Sequence, residues 1–252
     1  MTSTLKFSVV TVCFNSAATI ADSLKSVAAQ TWPAIEHIVI DGGSTDATLD
    51  IIEPFRAGLG YLRSERDHGI YDAMNKGVAA ATGDVVCFLN SDDMYASEDV
   101  LARVASKIGP MNLDALYGDV GYFRTGAPER TTRRYSSRSF HPDRLAYGMM
   151  PAHPALFLRR SIFERVGEFR RDYRIAGDFE FIARVFKQPI AYVYLPEILV
   201  KMRIGGISTA GWQSRILLNR EILQACRDNG ISTNVFKLAA RYPMKALELY
   251  RR

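Results

Sequence analysis

The first half of the chain repeats one pattern, in which a short apolar run precedes a longer segment with apolar residues at helical spacing. Residues 6–15, KFSVVTVCFN, form the first run, and Ile20, Leu24 and Val27 then recur at helical spacing within residues 16–30. The same pair of segments returns at residues 35–58, 61–83 and 84–109. Four strand and helix pairs in succession predict an α/β fold with a mostly parallel sheet and helices on both faces.

Polar residues cluster where the predicted strands end. The loops at residues 14–17, 40–46, 64–69 and 89–95 are rich in Asp, Asn, Ser and Gly. In sheets of this kind, ligands bind beyond the carboxyl ends of the strands. We therefore expect the chemistry of the protein in these four loops, which should meet along one edge of the sheet.

The second half departs from this pattern. We predict a strand at residues 115–123, a long Arg-, Ser- and Pro-rich loop at 124–154, short helices within 159–169 and 177–188, a strand at 190–204 and an amphipathic helix at 211–230. Loops as long as the one at 124–154 are commonly functional.

Composition narrows the class of protein. The chain has 252 residues, 48% of them hydrophobic, which is enough for a large core. Cys13, Cys87 and Cys226 show no metal-binding spacing, as expected for reduced core residues of a cytoplasmic protein. No signal peptide or run of about 20 apolar residues occurs, so we expect neither export nor a membrane span. The net charge is +5, and the basic residues concentrate after Arg124. They form either a solvated face or a surface that binds phosphates, anionic lipid or nucleic acid.

Two adjacent carboxylates, Asp92 and Asp93, follow the last apolar run of the first half. Asp in this place is an ordinary turn residue, but one or two carboxylates with substrate phosphates are also how proteins hold Mg²⁺ or Mn²⁺. At the same edge, Asp41 can accept hydrogen bonds from a base or ribose, and Gly42 and Gly43 permit a ligand to approach the backbone. A helix-entry turn is the alternative interpretation of Asp41.

Several ordered motifs of the first hundred or so residues resemble one known family. Residues 8–48, SVVTVCFNSAATIADSLKSVAAQTWPAIEHIVIDGGSTDAT, and residues 67–93, DHGIYDAMNKGVAAATGDVVCFLNSDD, look like the nucleotide-binding half of family 2 inverting glycosyltransferases, which have the GT-A fold. The segment GIYDAMNKG, residues 69–77, is similar to the corresponding segment of bacterial exopolysaccharide and lipopolysaccharide transferases of the colanic acid type. The resemblance implies a single GT-A domain over 1–252, with a nucleotide-sugar-binding half at 1–122, an acceptor-side half at 123–210 and C-terminal helices at 211–252.

The resemblance also implies roles for single residues. Asp41 matches the carboxylate that recognises the base, usually uracil, and Asp92 matches the last carboxylate of the D-x-D motif, the usual ligand of Mn²⁺ or Mg²⁺. The other implied donor-binding positions are Thr11, Cys13, Asn15, Asp67, Asn75, Lys76, Asn90 and Ser91.

The sequence departs from the family pattern where Asn90 replaces the first carboxylate of D-x-D. Asn90 can donate or accept hydrogen bonds but adds no charge, which implies a weaker metal site. Asp93 either compensates for the missing carboxylate or caps the next turn. Because Asn90 replaces a carboxylate of the motif, an alternative function stays open. In this alternative, the protein is a catalytically inactive GT-A subunit or a nucleotide-sugar-binding protein of a polysaccharide assembly complex.

In this family the general base is an Asp or Glu of the second half. Residues 174–184, RIAGDFEFIAR, resemble the base motif, and Asp178 is our candidate, with Glu180 as an acceptor-side neighbour and a helix cap as the alternative role for Asp178. His153 resembles a residue of the acceptor-side segment, although a structural role is as common for such a histidine. Arg203, with Gly205 and Gly206, resembles a late loop that closes over the diphosphate, and an exposed turn is the alternative.

The C-terminal residues 234–252, NVFKLAARYPMKALELYRR, mix apolar and basic residues. Such a helix can lie at an anionic membrane surface, or can pack against the domain or a partner.

The motifs of other protein classes are missing from the sequence. Neither G-x-G-x-x-G nor a P-loop occurs, no Gly-rich basic loop for a nucleoside triphosphate follows the first strand, and no nucleic-acid-reading motif is found. The family resemblance therefore implies a transfer of sugar from a UDP-sugar to a glycan or lipid-linked acceptor. We expect a cytoplasmic protein, which the tail, in the first of its two interpretations, brings to the inner face of the cell membrane.

Overall fold

A computed structural model describes residues 4–205 and 211–241. The strands are β1 (Phe7–Cys13), β2 (Ile35–Asp41), β3 (Tyr61–Ser64), β4 (Val85–Phe88), β5 (Asp93–Tyr95), β6 (Ala115–Phe123), β7 (Arg133–Tyr135), β8 (Leu156–Arg159) and β9 (Tyr192–Arg203). The helices are α1 (Ile20–Ala28), α2 (Thr48–Ile52), α3 (Ile70–Ala80), α4 (Val100–Ile108), α5 (Arg160–Val166), α6 (Gly177–Phe186) and α7 (Gly211–Asp228). Short 3₁₀ helices occupy Glu53–Gly58, Pro142–Tyr147 and His153–Ala155, and residues 235–241 are helical.

All nine strands of residues 4–205 and 211–241 belong to one mixed sheet with the order β3-β2-β1-β4-β8-β6-β9-β5, and β7 pairs with β6. The prediction of parallel strands holds for β1 to β4, which pair only in parallel with one another. The remainder of the sheet is mixed: β6 and β9 run parallel, whereas β8 runs antiparallel to both β4 and β6, and β5 runs antiparallel to β9.

The apolar periodicity of the first half positions the parallel strands. Every residue of β1 is buried, as expected for a central strand covered on both faces. Ile20 and Leu24, at helical spacing on α1, pack with Val39 of β2 and Ile52 of α2 in one apolar cluster. The carboxyl ends of β1, β2 and β3 are therefore held side by side, with Cys13 opposite Asp41 and Asp41 opposite Ser64.

Three short strands were not predicted from the sequence. β5 and β7 have three residues each, and β8 has four, so each is too short to show a periodicity of its own. The predicted loop at 124–154 contains β7 and one complete 3₁₀ turn, and a second turn begins within it. β5 also changes the interpretation of Asp93, which begins a strand instead of capping the following helix.

The chain divides into two compact units. The first comprises residues 1–138, 151–168 and 190–204 and contains the whole sheet, whereas the second comprises 139–150, 169–189 and 205–252 and contains α6 and α7. Within the second unit, Phe169 stacks on Phe181 with ring centroids 4.2 Å apart, and Phe140 meets Phe186 edge to face at 4.9 Å. The functional division at residues 122 and 210 stays a prediction.

Within residues 4–205 and 211–241, no helix is long and apolar enough to cross a membrane.

Candidate functional site

The loop after β2 is organised around the carboxylate of Asp41. Its oxygens accept hydrogen bonds from the backbone N–H groups of Gly43 and Ser44, at 3.1 and 3.0 Å, and from the hydroxyls of Ser44 and Ser64, at 2.5 and 2.6 Å. Burial opposes ionisation of Asp41, but these hydrogen bonds outweigh it and lower the pKa. A carboxylate offers about four acceptor positions, and these four hydrogen bonds use them to hold the loop in place. The contact of Asp41 with a base stays a prediction.

Asn15 joins the loop after β1 to the loop after β2. Its backbone N–H donates to Ser44 Oγ at 2.8 Å, and its side-chain Oδ1 accepts from the backbone N–H of Thr45 at 2.9 Å. The backbone of Asn15 is left-handed, with φ of 48°, a conformation that Asn tolerates better than most residues. The two loops are therefore held together where β1 and β2 end.

Gly42 lies so close to Asp67 that a side chain at this position would meet the Asp67 carboxylate. A Cβ atom on Gly42 would lie 2.5 Å from Asp67 Oδ2, which is too close for any real contact. Asp67 Oδ1 accepts from the backbone N–H of Gly69 at 2.9 Å, so the side chain is anchored at the start of α3. The missing side chain of Gly42 thus makes room for the Asp67 carboxylate at the end of β2, and the contact of these two loops with a donor stays a prediction.

The predicted donor-binding residues of α3 lie in a charged environment. Lys76 Nζ pairs with Glu65 Oε1 at 2.9 Å and with Asp72 Oδ2 at 3.2 Å, and these hydrogen bonds raise the pKa of Lys76. Asn75 is buried. Two carboxylates therefore already balance the charge of Lys76, and its contact with sugar or phosphate stays a prediction.

Thr11 and Cys13 lie on β1 with their side chains inside the protein. The Thr11 hydroxyl is 3.0 Å from His37 Nε2, and both residues are buried. Burial raises the pKa of the Cys13 thiol, as does the charge of Asp41, whose Oδ1 lies 3.6 Å from Sγ. The geometry favours a supporting role for both residues, and their predicted contact with a nucleotide stays a prediction.

The loop after β4 carries an unusual set of unpaired polar atoms. Asn90 Nδ2 donates to Asp93 Oδ2 at 3.4 Å, whereas Asn90 Oδ1 and Asp93 Oδ1 are buried without a hydrogen-bond partner. The neighbouring Ser91 is 2.9 Å from Ser16, which ties this loop to the loop after β1. Buried oxygens without partners are costly, so they point to a group that binds there.

Asp92 and Asp93 both resist ionisation in this structure. Burial raises the pKa of Asp92, and the positive charge of Arg203 only partly offsets this effect. Burial raises the pKa of Asp93 well above its usual range, and the neighbouring charge of Asp92 raises it further. A bound cation would favour the ionised forms of both carboxylates.

Arg203 ends β9 beside this carboxylate pair. Its Nη2 donates to Asp22 Oδ2 of α1 at 2.8 Å, and its guanidinium lies over the ring of Phe123, 4.9 Å from the centroid. Arg203 and Phe123 are register partners of β9 and β6, so the stacking follows from the sheet pairing. Arg203 Nε is buried and unpaired. Arg203 is therefore a fixed cation at the edge of the sheet, although Gly206 of the same predicted loop lies outside the described residues.

The donor set around Asp92 fits a divalent cation bound together with a substrate. In the described parts of the chain, no three His, Cys, Asp or Glu residues form a complete metal site. Asp92, Asp93 and the amide oxygen of Asn90 nevertheless provide hard oxygen ligands, two of them unpaired. Mg²⁺ and Mn²⁺ take one or two carboxylates and complete their coordination with phosphate and water, so an incomplete protein set is what such a site requires.

His153 is buried in the first unit and stacks on Phe88, with ring centroids 5.3 Å apart. Burial lowers the pKa of His153 to about 4, so the imidazole is neutral at physiological pH. This geometry favours packing, the structural alternative, and a contact of His153 with the acceptor stays a prediction.

The candidate base lies in the second unit, at the start of α6. Burial raises the pKa of Asp178 to about 6, and Asp178 Oδ1 accepts from the backbone N–H of Phe179 at 2.8 Å. Glu180 is buried and binds Arg184 through both oxygens, at 2.8 and 2.9 Å. Of the two carboxylates, Asp178 has the pKa suited to accepting a proton near neutral pH, whereas Glu180 is engaged in an ion pair.

The structure adds residues that the sequence patterns did not single out. Asp22 binds Arg203, and Ser44 and Ser64 bind Asp41. Asp22 occupies the first turn of α1, where an acidic residue is common in any helix. No sequence signal marks it, because its partner lies 181 positions further along the chain.

The comparisons with known proteins agree with this description. The profile described as Glycosyl transferase family 2 matches residues 8–167. A PGL/p-HBAD biosynthesis glycosyltransferase of Mycobacterium tuberculosis strain H37Ra is 37% identical over 208 residues, which are 80% of this chain and 78% of that protein.

Solved structures show the same fold. TarS of S. aureus residues 1–349 in complex with UDP-GlcNAc matches with a TM-score of 0.69 and 22% identity, over 88% of this chain and 66% of that one. This chain covers 43% of the full TarS chain. The mannosyltransferase PcManGT of Pyrobaculum calidifontis in complex with GDP-Man and Mn²⁺ matches with a TM-score of 0.62 and 19% identity, over 99% of this chain and 82% of that one.

The curled mixed sheet flanked by helices, with polar loops at the ends of β1 to β4, has the GT-A fold of nucleotide-sugar-dependent glycosyltransferases. The chain belongs to glycosyl transferase family 2. The resemblance found in the sequence is thereby confirmed at the level of family and fold, whereas the colanic acid type stays a prediction.

Proposed function

We propose that this glycosyltransferase is an inverting hexosyltransferase that moves a sugar from a nucleoside diphosphate donor, a UDP-sugar, to a glycan or lipid-linked acceptor of cell-surface polysaccharide. The observation that carries the proposal is the set of unpaired polar atoms at the end of β4. Asn90 Oδ1, Asp93 Oδ1 and Arg203 Nε are buried without a hydrogen-bond partner. A diphosphate with its divalent cation would offer a partner to each of these three atoms.

Asp92, Asp93 and Asn90 would hold a divalent cation, Mn²⁺ or Mg²⁺, and Arg203 would bind the donor diphosphate directly. When bound, the cation supplies Lewis acidity that stabilises negative charge on the leaving diphosphate. Arg203 contributes in the same direction, since its guanidinium is held in place by Asp22 and Phe123 before the reaction. The Mn²⁺ complex of PcManGT supports the cation assignment.

Transfer takes place in one displacement. The acceptor hydroxyl oxygen attacks the anomeric carbon, the bond from that carbon to the diphosphate oxygen breaks, and the hydroxyl proton passes to the carboxylate of Asp178. A pKa of about 6 keeps Asp178 ionised at neutral pH while leaving it basic enough to take the proton. No covalent sugar–enzyme intermediate is needed, and the configuration at the anomeric carbon inverts.

The choice of nucleotide is tested by thermal stability with UDP, GDP and the other nucleoside diphosphates, each with and without Mn²⁺. A ligand that binds only the folded state raises the melting temperature in proportion to RT ln(1 + [L]/Kd). UDP is the expected ligand because TarS binds UDP-GlcNAc, whereas selectivity for GDP would follow the precedent of PcManGT. The shift should need Mn²⁺ and should be lost in Asp92→Asn.

The same experiment tests the alternative of a catalytically inactive subunit, which the neutral Asn90 favours. If no nucleoside diphosphate shifts the melting temperature of the wild-type protein, the inactive-subunit function replaces the one proposed here. If UDP binds but no sugar is transferred or hydrolysed from any UDP-sugar, the protein is a nucleotide-sugar-binding component.

Contact with the inner face of the membrane is a second part of the proposal. The second unit contains fourteen Lys and Arg residues against seven Asp and Glu. Near the start of the C-terminal segment, Val235 is 61% exposed and Phe236 is 82% exposed. Residues 242–252 of the predicted tail lie outside the described residues. Sedimentation with anionic liposomes at low salt, compared with neutral liposomes, is the test, and equal recovery in both supernatants would refute it.

A further inference from the structure

Glu221, in the middle of α7, reaches the turn that precedes the candidate base. Its Oε1 accepts from the backbone N–H of Arg174 at 2.9 Å, and its Oε2 accepts from those of Ile175 and Ala176, at 2.9 and 2.8 Å. All these residues belong to the second unit. One carboxylate thus binds three consecutive backbone donors 45 to 47 positions earlier in the chain.

This contact fixes the turn that leads into α6. α6 begins at Gly177, and its N-cap residue Ala176 has no side chain that could accept a hydrogen bond. Ser, Thr, Asp or Asn normally fills this place and holds the start of a helix. Glu221 instead binds the three backbone N–H groups that immediately precede the helix, and it therefore fixes the backbone just before Asp178.

Glu221 is also the charged neighbour that acts on Asp178. α6 packs against α7 and the 3₁₀ turn Pro142–Tyr147. The charged residues of these segments and of the preceding turn are Asp143, Arg144, Arg170, Arg171, Asp172, Arg174, Glu180, Arg184, Arg215, Arg220, Glu221, Arg227 and Asp228. Among them, the negative charge of Glu221 is the one that contributes to the raised pKa of Asp178, after burial itself.

We propose that Glu221 is a positioning residue for the general base, which holds the Asp178 carboxylate in place through its hydrogen bonds to the α6 entry turn. The inference rests on the proposed role of Asp178 and deepens it. It assigns a role in catalysis to a helix that lies beyond residues 8–167, the part of the chain matched by the family profile.

Two substitutions separate position from charge. Glu221→Gln keeps the length of the side chain but removes its charge and one acceptor, whereas Glu221→Asp keeps the charge and shortens the reach by one methylene. Asp228→Asn is the matched control, because Asp228 lies on the same helix and pairs with Arg170. We measure kcat and KM for sugar transfer from pH 5 to pH 9.

In Glu221→Gln, kcat should fall about tenfold with little change in donor KM, and the acid limb of the pH profile should move down by about half a pH unit. In Glu221→Asp, kcat should fall while the acid limb stays at its wild-type pH. Asp228→Asn should change neither quantity, although it removes an ion pair and lowers stability.

A second readout does not depend on activity. At pH 8, replacing Asp178 by Asn should stabilise the fold less in the Glu221→Gln background than in the wild type, because the repulsion between the two carboxylates is already gone. Equal gains in both backgrounds, or a Glu221→Gln enzyme with wild-type kcat and pH profile, would overturn the inference while leaving the proposed function intact. An Asp178→Asn enzyme with wild-type kcat would overturn the base assignment and this inference together.

Discussion

Replacement of Asp178 by Asn should remove activity and at the same time stabilise the protein. The pKa of Asp178 rises from 3.8 to about 6, chiefly because burial disfavours the carboxylate. Asn has nearly the same shape as the protonated acid and can keep the hydrogen bond from Phe179, but it carries no charge to bury. The substitution therefore relieves the cost of ionising Asp178 inside the fold.

The magnitude follows from the shift. About two pKa units correspond to about 3 kcal/mol of unfolding free energy, which is an upper value for this partly buried side chain. Because the folded pKa is raised, the favourable contribution of the protonated acid is present below about pH 4 and is lost as the pH rises through 6. The stability difference between Asp178→Asn and the wild type should thus be near zero at pH 4 and reach its full value above pH 6.

The assay is urea denaturation of both proteins at pH 4, 6 and 8, together with turnover at pH 8. For a chain of this size, 3 kcal/mol corresponds to roughly 5–10 °C in melting temperature. Loss of a general base should lower kcat by about a hundredfold or more. An Asn variant that is no more stable than the wild type at pH 8, or one whose advantage is the same at pH 4, would refute the reasoning.

Three further predictions concern the first unit. Gly42→Ala should push the Asp67 carboxylate aside, since the new Cβ would lie 2.5 Å from Oδ2, and should weaken UDP binding about threefold to tenfold in calorimetry with less than about 1 kcal/mol lost in stability. Glu36 of β2 accepts hydrogen bonds from the Ser8 hydroxyl and the Thr82 backbone N–H, at 2.6 and 2.9 Å, and although burial alone would raise the pKa of Glu36, its hydrogen bonds lower it from 4.5 to about 2. Glu36→Gln should therefore lower stability at pH 7 in urea denaturation by up to about 3 kcal/mol, an upper value because solvent screens this partly buried side chain. This stability is present above pH 4.5 and is lost as the pH falls through 2. Asp22→Asn should release Arg203 and weaken UDP binding about threefold in the same calorimetric assay.

Each of these predictions has a contrary outcome. Unchanged UDP affinity in Gly42→Ala would show that the position of Asp67 does not matter for the donor. A Glu36→Gln protein as stable as the wild type at pH 7 would contradict the depressed pKa. Asp50→Asn is the control for Asp22, because Asp50 lies in the first turn of α2 as Asp22 lies in that of α1, and equal effects of the two would point to helix stability instead of Arg203.

The site could be predicted in part, because its loops are local in sequence. Asp41 ends a strand that the apolar pattern identifies, Gly42 follows it, and Asp92 lies in the loop after another such strand, so their place at the edge of the sheet follows from the strand and helix alternation. The resemblance then assigned them to a family, which the profile over residues 8–167 confirms. Asp93 was harder to interpret, since three residues of strand cannot be recognised from periodicity.

What the sequence determined by itself is therefore the local chemistry: four strand and helix pairs, the polar loops between them, and the family to which they belong. The tertiary structure decided the antiparallel pairings of the sheet, the pairing of Arg203 with Asp22, and the hydrogen bonds of Glu221 to the turn before Asp178. These contacts join residues 45 to 181 positions apart, or strands that run in opposite directions. Local propensity and periodicity extend over only a few turns of chain, so such partners are chosen by packing and not by the neighbouring sequence.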